Sequence, residues 1–125
     1  MMKYLLDTHI FLWWLEDNKK LKQSLYKIIE SPENDILISA VTAWEISIKQ
    51  RAGKLKLTMP LEEAFGKYDF EILNISFNHI LMLGKLPLHH RDPFDRLLIA
   101  QAQSEKLTLI TLDKLFKKYK VKLLL

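Results

Sequence analysis

The sequence predicts an α/β fold with a central, mainly parallel sheet flanked by helices. Short apolar runs alternate along the chain with longer stretches of helical periodicity, the order that builds βα units. The runs are apolar at consecutive positions rather than at every second one, as in strands buried on both faces. With 125 residues, 49% of them apolar, the chain can close one core, and a single domain spanning 1–125 is expected.

Lys3 to Leu6 is the first strand, and Asp7 then caps a helix beginning at Thr8. Leu21, Leu25, Ile28 and Ile29 share one side of a second helix, which ends before the turn Ser31-Pro32-Glu33-Asn34-Asp35. Asp35 to Ser39 is the second strand. Ser39 caps a helix whose stripe is read as Val41, Trp44, Ile48 and Ala52, stopped at Gly53. Leu61 to Tyr68 is helical after Pro60, and Phe70 to Ile75 is the third strand. Phe77 to Leu83 forms a helix closed near Gly84 and Pro87. Asp92 caps the clearest helix, Pro93 to Glu105, with proline at its first position. Leu107 to Thr111 is the fourth strand, Lys114 to Lys118 a short helix, and Val121 to Leu125 a fifth strand.

Composition removes several function classes. There is no cysteine, which excludes disulfide scaffolds, thiol catalysis and cysteine-ligated zinc or iron–sulfur sites. The apolar run at the N-terminus meets Asp7 too soon for a secretory segment, and no stretch approaches the length of a membrane span. A soluble, cytoplasmic protein without membrane contact is expected. Nineteen Lys and Arg against fifteen Asp and Glu leave a formal charge of +4, which permits a nucleic-acid partner without requiring one. The one basic run is Lys114, Lys117, Lys118, Lys120 and Lys122.

The chemistry is carried by four acids. Asp7 directly follows the first strand and Asp113 the fourth, so both project where ligands bind in open parallel sheets, beyond the carboxyl ends of strands. Glu45 lies about a turn and a half into the helix after the second strand, and Asp95 in the first turn of the helix before the fourth. Asp95 shares its helix face with Leu98, Ile99 and Ala102, where a carboxylate is expensive unless paired or metal-bound. Crowded carboxylates raise one another's pKa unless a cation compensates, and Mg²⁺ or Mn²⁺ suits an oxygen-only site. Such a site can hydrolyse phosphodiesters.

Each acid also has a structural reading. Asp7 and Asp113 are good helix caps, and Glu45 can pair with Lys49 one turn on. His9 could contact a phosphate, and His89, His90 and Arg91 could hold nucleic-acid backbone or form an ordinary solvated loop. Trp13, Trp14 and Trp44 read as core or interface residues.

These residues resemble a known family. Leu5-Leu6-Asp7-Thr8-His9 followed by Leu12-Trp13-Trp14 looks like the opening of a PIN domain, closest to the bacterial VapC-type toxin ribonucleases. Trp44-Glu45-Ile46 resembles the segment of the family's second acid. His90-Arg91-Asp92-Pro93-Phe94-Asp95-Arg96-Leu97-Leu98-Ile99-Ala100-Gln101-Ala102 resembles the third-acid block. Thr108 to Asp113, with Phe116, resembles the closing block. The ordered set spans nearly the whole chain.

The resemblance implies a PIN fold and a Mg²⁺- or Mn²⁺-dependent endoribonuclease acting through an activated water. Asp7, Glu45, Asp95 and Asp113 carry over as the catalytic and metal-binding quartet, with Asp7 and Asp95 the principal ligands. Thr8, His9, Asp92, Arg96 and Thr111 stand beside them as residues that orient ligands or contact substrate. It also implies a homodimer and inhibition by a cognate antitoxin whose tail enters the acidic site. A nuclease acting on DNA or structured nucleic acid, or a non-catalytic binding module on the same fold, remains open. A phosphoryl-accepting receiver domain does not fit, because Asp7 is followed by Thr8-His9 and Leu73-Asn74-Ile75 offers no acceptor aspartate.

Overall fold

The structure, a computed structural model, describes residues 2–124. β1 (Lys3–Leu6) is followed by α1 (Thr8–Glu16), α2 (Gln23–Glu30), β2 (Asp35–Ser39) and α3 (Ala40–Arg51). Then come α4 (Leu61–Gly66), β3 (Glu71–Leu73), α5 (Phe77–Gly84) and α6 (Pro93–Glu105). β4 (Thr108–Ile110), a 3-10 turn (Lys114–Lys118) and β5 (Lys122–Leu124) complete it.

The five strands form one sheet in the order β3-β2-β1-β4-β5, and every adjacent pair is parallel. The expectation of a mainly parallel sheet thus becomes an entirely parallel one. β1 is central: Leu5 sits opposite Leu37 on one side and Leu109 on the other. Successive side chains leave a strand on opposite faces. Leu6 accordingly packs with Ile10, Phe11, Leu25 and Ile38, while Leu5 packs with Leu98, Ile99, Leu109 and Phe116. The sheet is therefore the middle of three layers. The chain winds outward from β1 through β2 to β3, then returns to the other side of β1 for β4. That reversal opens a crevice at the carboxyl ends of β1 and β4, the place where such sheets bind ligands.

Two helices that border this crevice are locked by buried polar groups. Ser39 ends β2, accepts the Val41 N–H as cap of α3, and donates its hydroxyl to Gln101 on α6. Gln101 is fully buried and also donates to the Asn74 carbonyl. His79 on α5 accepts the Ser76 N–H at Nδ1, so its Nε2 carries the proton directed at Glu105 of α6, 2.9 Å away.

The elements depart from expectation in several places: β4 is Thr108–Ile110 rather than Leu107 to Thr111, and α4 ends at Gly66 rather than Tyr68. The third strand is Glu71–Leu73 rather than Phe70 to Ile75, because it is an edge strand that pairs only with Leu37 to Ser39 of β2. Leu21 is buried but precedes α2, which starts at Gln23. The stripe read on α3 holds only at Val41: Trp44 is 50% exposed, Ile48 45% and Ala52 exposed, whereas Thr42, Glu45 and Ile46 join Val41 facing inward. The inversion has a cause in the site, since Thr42 and Glu45 find hydrogen-bond partners there. Trp44 meets Phe94 edge-on at 4.8 Å, and Trp14 is buried against Tyr26. The last strand is Lys122–Leu124, with Val121 preceding it rather than opening it and Leu125 outside the described residues.

Candidate metal centre

Asp7 is the first residue beyond β1. Its backbone N–H continues the ladder by donating to the Ile110 carbonyl, which fixes the carboxylate at the mouth of the sheet. Oδ1 accepts the His9 N–H at 2.7 Å as cap of α1, and Oδ2 accepts the buried Thr111 hydroxyl. Capping and site membership are therefore served by different oxygens of one side chain. Burial raises the Asp7 pKa above its ordinary value. The Thr111 and His9 hydrogen bonds work against that rise, and the Glu45 charge adds to it.

Thr111 joins two acids. Its hydroxyl donates to Asp7 and accepts the Asp113 N–H at 3.0 Å. Asp113 caps the 3-10 turn through Oδ1, which accepts the Leu115 N–H, and leaves Oδ2 toward the crevice. Glu45 is 2% exposed and held on both oxygens: Thr8 donates to Oε1 at 2.8 Å, and Lys49 donates to Oε2 at 2.6 Å. Because Thr8 gives its proton to Glu45, the Thr42 hydroxyl 3.1 Å away donates to Thr8. The Lys49 pKa is raised, first by this bond to Glu45 and further by the charges of Asp92 and Asp95.

Asp95 is strongly perturbed as well. Its pKa is pushed up to about 8 by burial first, then by the charges of Asp92, Asp7, Glu45 and Asp113. The other three sequence-predicted acids thus all lie within electrostatic reach of Asp95. Asp7, Asp95 and Asp113 line one cavity of about 240 Å³, with His9 and Trp13 at its wall. Glu45 does not line this cavity. Asp92 does not line it either: its Oδ1 accepts the Phe94 and Asp95 N–H groups as cap of α6.

His90 is the residue whose place in the cluster the sequence did not reveal. Its Nδ1 accepts the Asp92 N–H at 3.2 Å, so the ring proton is on Nε2. That N–H stands 3.0 Å from Asp95 Oδ2 and 3.1 Å from Asp113 Oδ2. The loop that presents His90 is held by Tyr119, whose hydroxyl accepts the His89 and His90 N–H groups at 3.0 and 2.7 Å. Arg96 donates to the Pro87 carbonyl at 2.9 Å, with the Leu86 and His90 carbonyls at 3.5 Å. Its guanidinium thus braces this loop, whereas the sequence left open a contact with substrate. His9 is largely exposed, with Nδ1 3.9 Å from Asp7. Arg91 is exposed.

A divalent cation fits this donor set. The donors are hard oxygens, and no Lys or Arg forms an ion pair with Asp7 or Asp95 among the described residues. His90, Asp95 and Asp113 each offer one atom within 4.8 Å of the others, although His90 presents a proton there rather than a lone pair. A larger cavity of about 450 Å³, walled by Trp14, Tyr26, Tyr68 and Phe70, opens at the amino ends of β2 and β3. It lies at the end of the sheet opposite the acids and contains none of them.

Among solved structures, that of VapBC2 from Rickettsia felis bound to a promoter DNA fragment is similar at TM-score 0.75. It shares 24% identity over 98% of each chain. DNA-bound VapBC from Salmonella typhimurium is similar at TM-score 0.71, with 16% identity over 99% of this chain and 98% of that one. FitAcB from Neisseria gonorrhoeae follows at TM-score 0.70 and 18% identity, covering 98% and 96%. No curated protein sequence matches the chain. These likenesses establish the three-layer fold. The PIN domain model matches residues 4–122, nearly the entire length and a range that contains all four acids, and the chain belongs to the PIN domain family.

Proposed function

We propose that the protein is a Mg²⁺- or Mn²⁺-dependent endoribonuclease and the toxin of a toxin–antitoxin pair. One observation carries the reading: Asp7, Asp95 and Asp113 share a cavity in which Asp95 is pushed up to about 8. A fold that assembles carboxylates at such cost, at the ligand-binding edge of a parallel sheet, is arranged for a cation. Membership of the PIN domain family supports nuclease chemistry. Similarity to the VapBC structures supports an antitoxin partner for this chain, with the toxin expected as a cytoplasmic homodimer.

Asp7 and Asp95 would hold the ion, with Asp113 completing the cavity and Glu45 adding charge from outside it. When bound, the ion supplies Lewis-acid stabilisation of the phosphoryl oxygens and an activated water. The chain's own residues supply the positioning. Thr111 keeps Asp7 and Asp113 in register, and Thr8 with Lys49 holds both oxygens of Glu45 in place. Asp92 caps α6 and holds the backbone of Asp95.

The test is cleavage of end-labelled single-stranded RNA and DNA of the same sequence with Mn²⁺, Mg²⁺ or chelator. RNA cleavage that needs a divalent ion is expected, with Asp7→Asn and Asp95→Asn each lowering the rate by about a hundredfold or more while circular dichroism is unchanged. Cleavage of DNA alone would replace the substrate assignment. Wild-type rates in both variants would overturn the site.

A further inference from the structure

The loop that carries His90 toward the acids has a second side, and that side is basic. His89 lines a cavity of about 390 Å³ together with Lys85, Lys118, Tyr119 and Lys120. An adjoining cavity of about 210 Å³ shares Gln103 and Lys120 with it and adds Lys106 and Lys122. No carboxylate lines either cavity. None of these five lysines forms an ion pair among the described residues. Unoffset charge of one sign in two contiguous hollows focuses a field that attracts anions.

The fold brings these lysines together from distant parts of the chain. Lys85 ends α5, Lys106 follows α6, and the others flank or lie in β5. Of the C-terminal basic run, Lys118, Lys120 and Lys122 turn toward the cavities, whereas Lys114 and Lys117 do not line them. The main chain there is fixed: Gln103 donates to the Lys120 carbonyl at 3.0 Å, and the Tyr119 hydroxyl holds the His89 and His90 amides. One tyrosine therefore ties the basic hollow to the loop that reaches Asp95 and Asp113.

We infer that this basic hollow is the track for the sugar–phosphate backbone of single-stranded RNA flanking the bond placed at the acids, with Lys85, Lys118 and Lys120 as phosphate contacts. The inference rests on the nuclease reading and names where its substrate lies. A strand crossing the Tyr119 loop would run from the carboxylates into the hollow of Lys85, Lys118 and Lys120, with the smaller hollow farther along, at the amino ends of β4 and β5. Lysine contacts of this kind position a strand without reading its sequence.

The test measures binding rather than cleavage. Fluorescein-labelled single-stranded RNA is titrated with the protein in chelator, by anisotropy, over a range of salt. Lys85→Gln, Lys118→Gln and Lys120→Gln combined are expected to weaken binding about tenfold or more at low salt. The log–log salt dependence should become shallower by about two, at ~0.7 per lost phosphate contact on a single strand. An equal-charge control, Lys19→Gln, Lys20→Gln and Lys22→Gln, removes lysines that line neither cavity and is expected to bind as wild type. Equal losses in the two triple variants would overturn the track and leave only net charge. So would unchanged binding in the cavity variant, including the case where that variant instead loses an acidic partner polypeptide. Wild-type binding with these properties but no metal-dependent cleavage would sink the nuclease reading and leave the track standing.

Discussion

His90 Nε2 stands 3.0 Å from Asp95 Oδ2, and the opposite ring nitrogen is occupied by the Asp92 N–H. The imidazole can therefore only donate to the acids, and it shares its one proton between Asp95 and Asp113. In the metal-free protein this N–H neutralises part of the crowding that the carboxylates create.

His90→Ala removes a donor from the oxygens at which the proposed cation would bind. Mn²⁺ binding by calorimetry is expected to tighten about two- to tenfold, in keeping with one hydrogen bond of about 1 kcal/mol. Metal-free thermal stability should fall. If His90 instead ligates the ion through a rearranged ring, affinity drops by tenfold or more, and the tautomer assigned from the Asp92 contact is wrong.

Asp95 makes stability depend on pH with a definite sign. An unfolded aspartate ionises near 3.8, while the folded side chain keeps its proton to about 8. Between those values folding takes up a proton, so metal-free stability falls as pH rises and levels off above pH 8. Asp95→Asn removes this penalty. In chelator the variant should unfold at a higher temperature than wild type, with a gap that widens from pH 5 to pH 8 and reaches about 1–3 kcal/mol. A gap that is constant or narrows with pH would contradict the origin assigned to the shift. Saturating Mn²⁺ should reverse the order, because the ion binds ionised Asp95.

Thr111→Val keeps the shape and deletes the hydroxyl. The Asp113 N–H loses its acceptor, and Asp7 loses the bond that most opposes its upward shift. A stability loss of about 1–3 kcal/mol is expected from denaturant melts, together with weaker Mn²⁺ binding. Restoration of both by Thr111→Ser would assign the effect to the hydroxyl. Failure of serine to restore either would assign it to packing.

The strand positions and the acids were readable because they depend on local pattern. An apolar run that stops at Asp7, and a carboxylate on the same face as Leu98 and Ile99, are visible without tertiary information. His90 was not readable as a neighbour of Asp95. Its placement depends on Tyr119, 29 residues away, and on Arg96 bracing the intervening loop. α3 misled for a related reason. Periodicity assumes that apolar side chains point to the core, yet this helix directs Thr42 and Glu45 inward and leaves Trp44 and Ile48 outside. The partner that makes the inversion tolerable is Thr8, 37 residues before Glu45. Local pattern locates a helix well and orients it poorly where function places polar groups inside.

The central position of β1 has a consequence during synthesis. The strand is made before the other four, but one of its two flanking partners, β4, is made about a hundred residues later, and Thr111 and Asp113 follow β4. A nascent chain therefore carries Asp7 long before it can complete the pocket. The cavity that gathers Asp7, Asp95 and Asp113 is thus among the last features of the domain to take shape, closing only once β4 and the turn after it are in place.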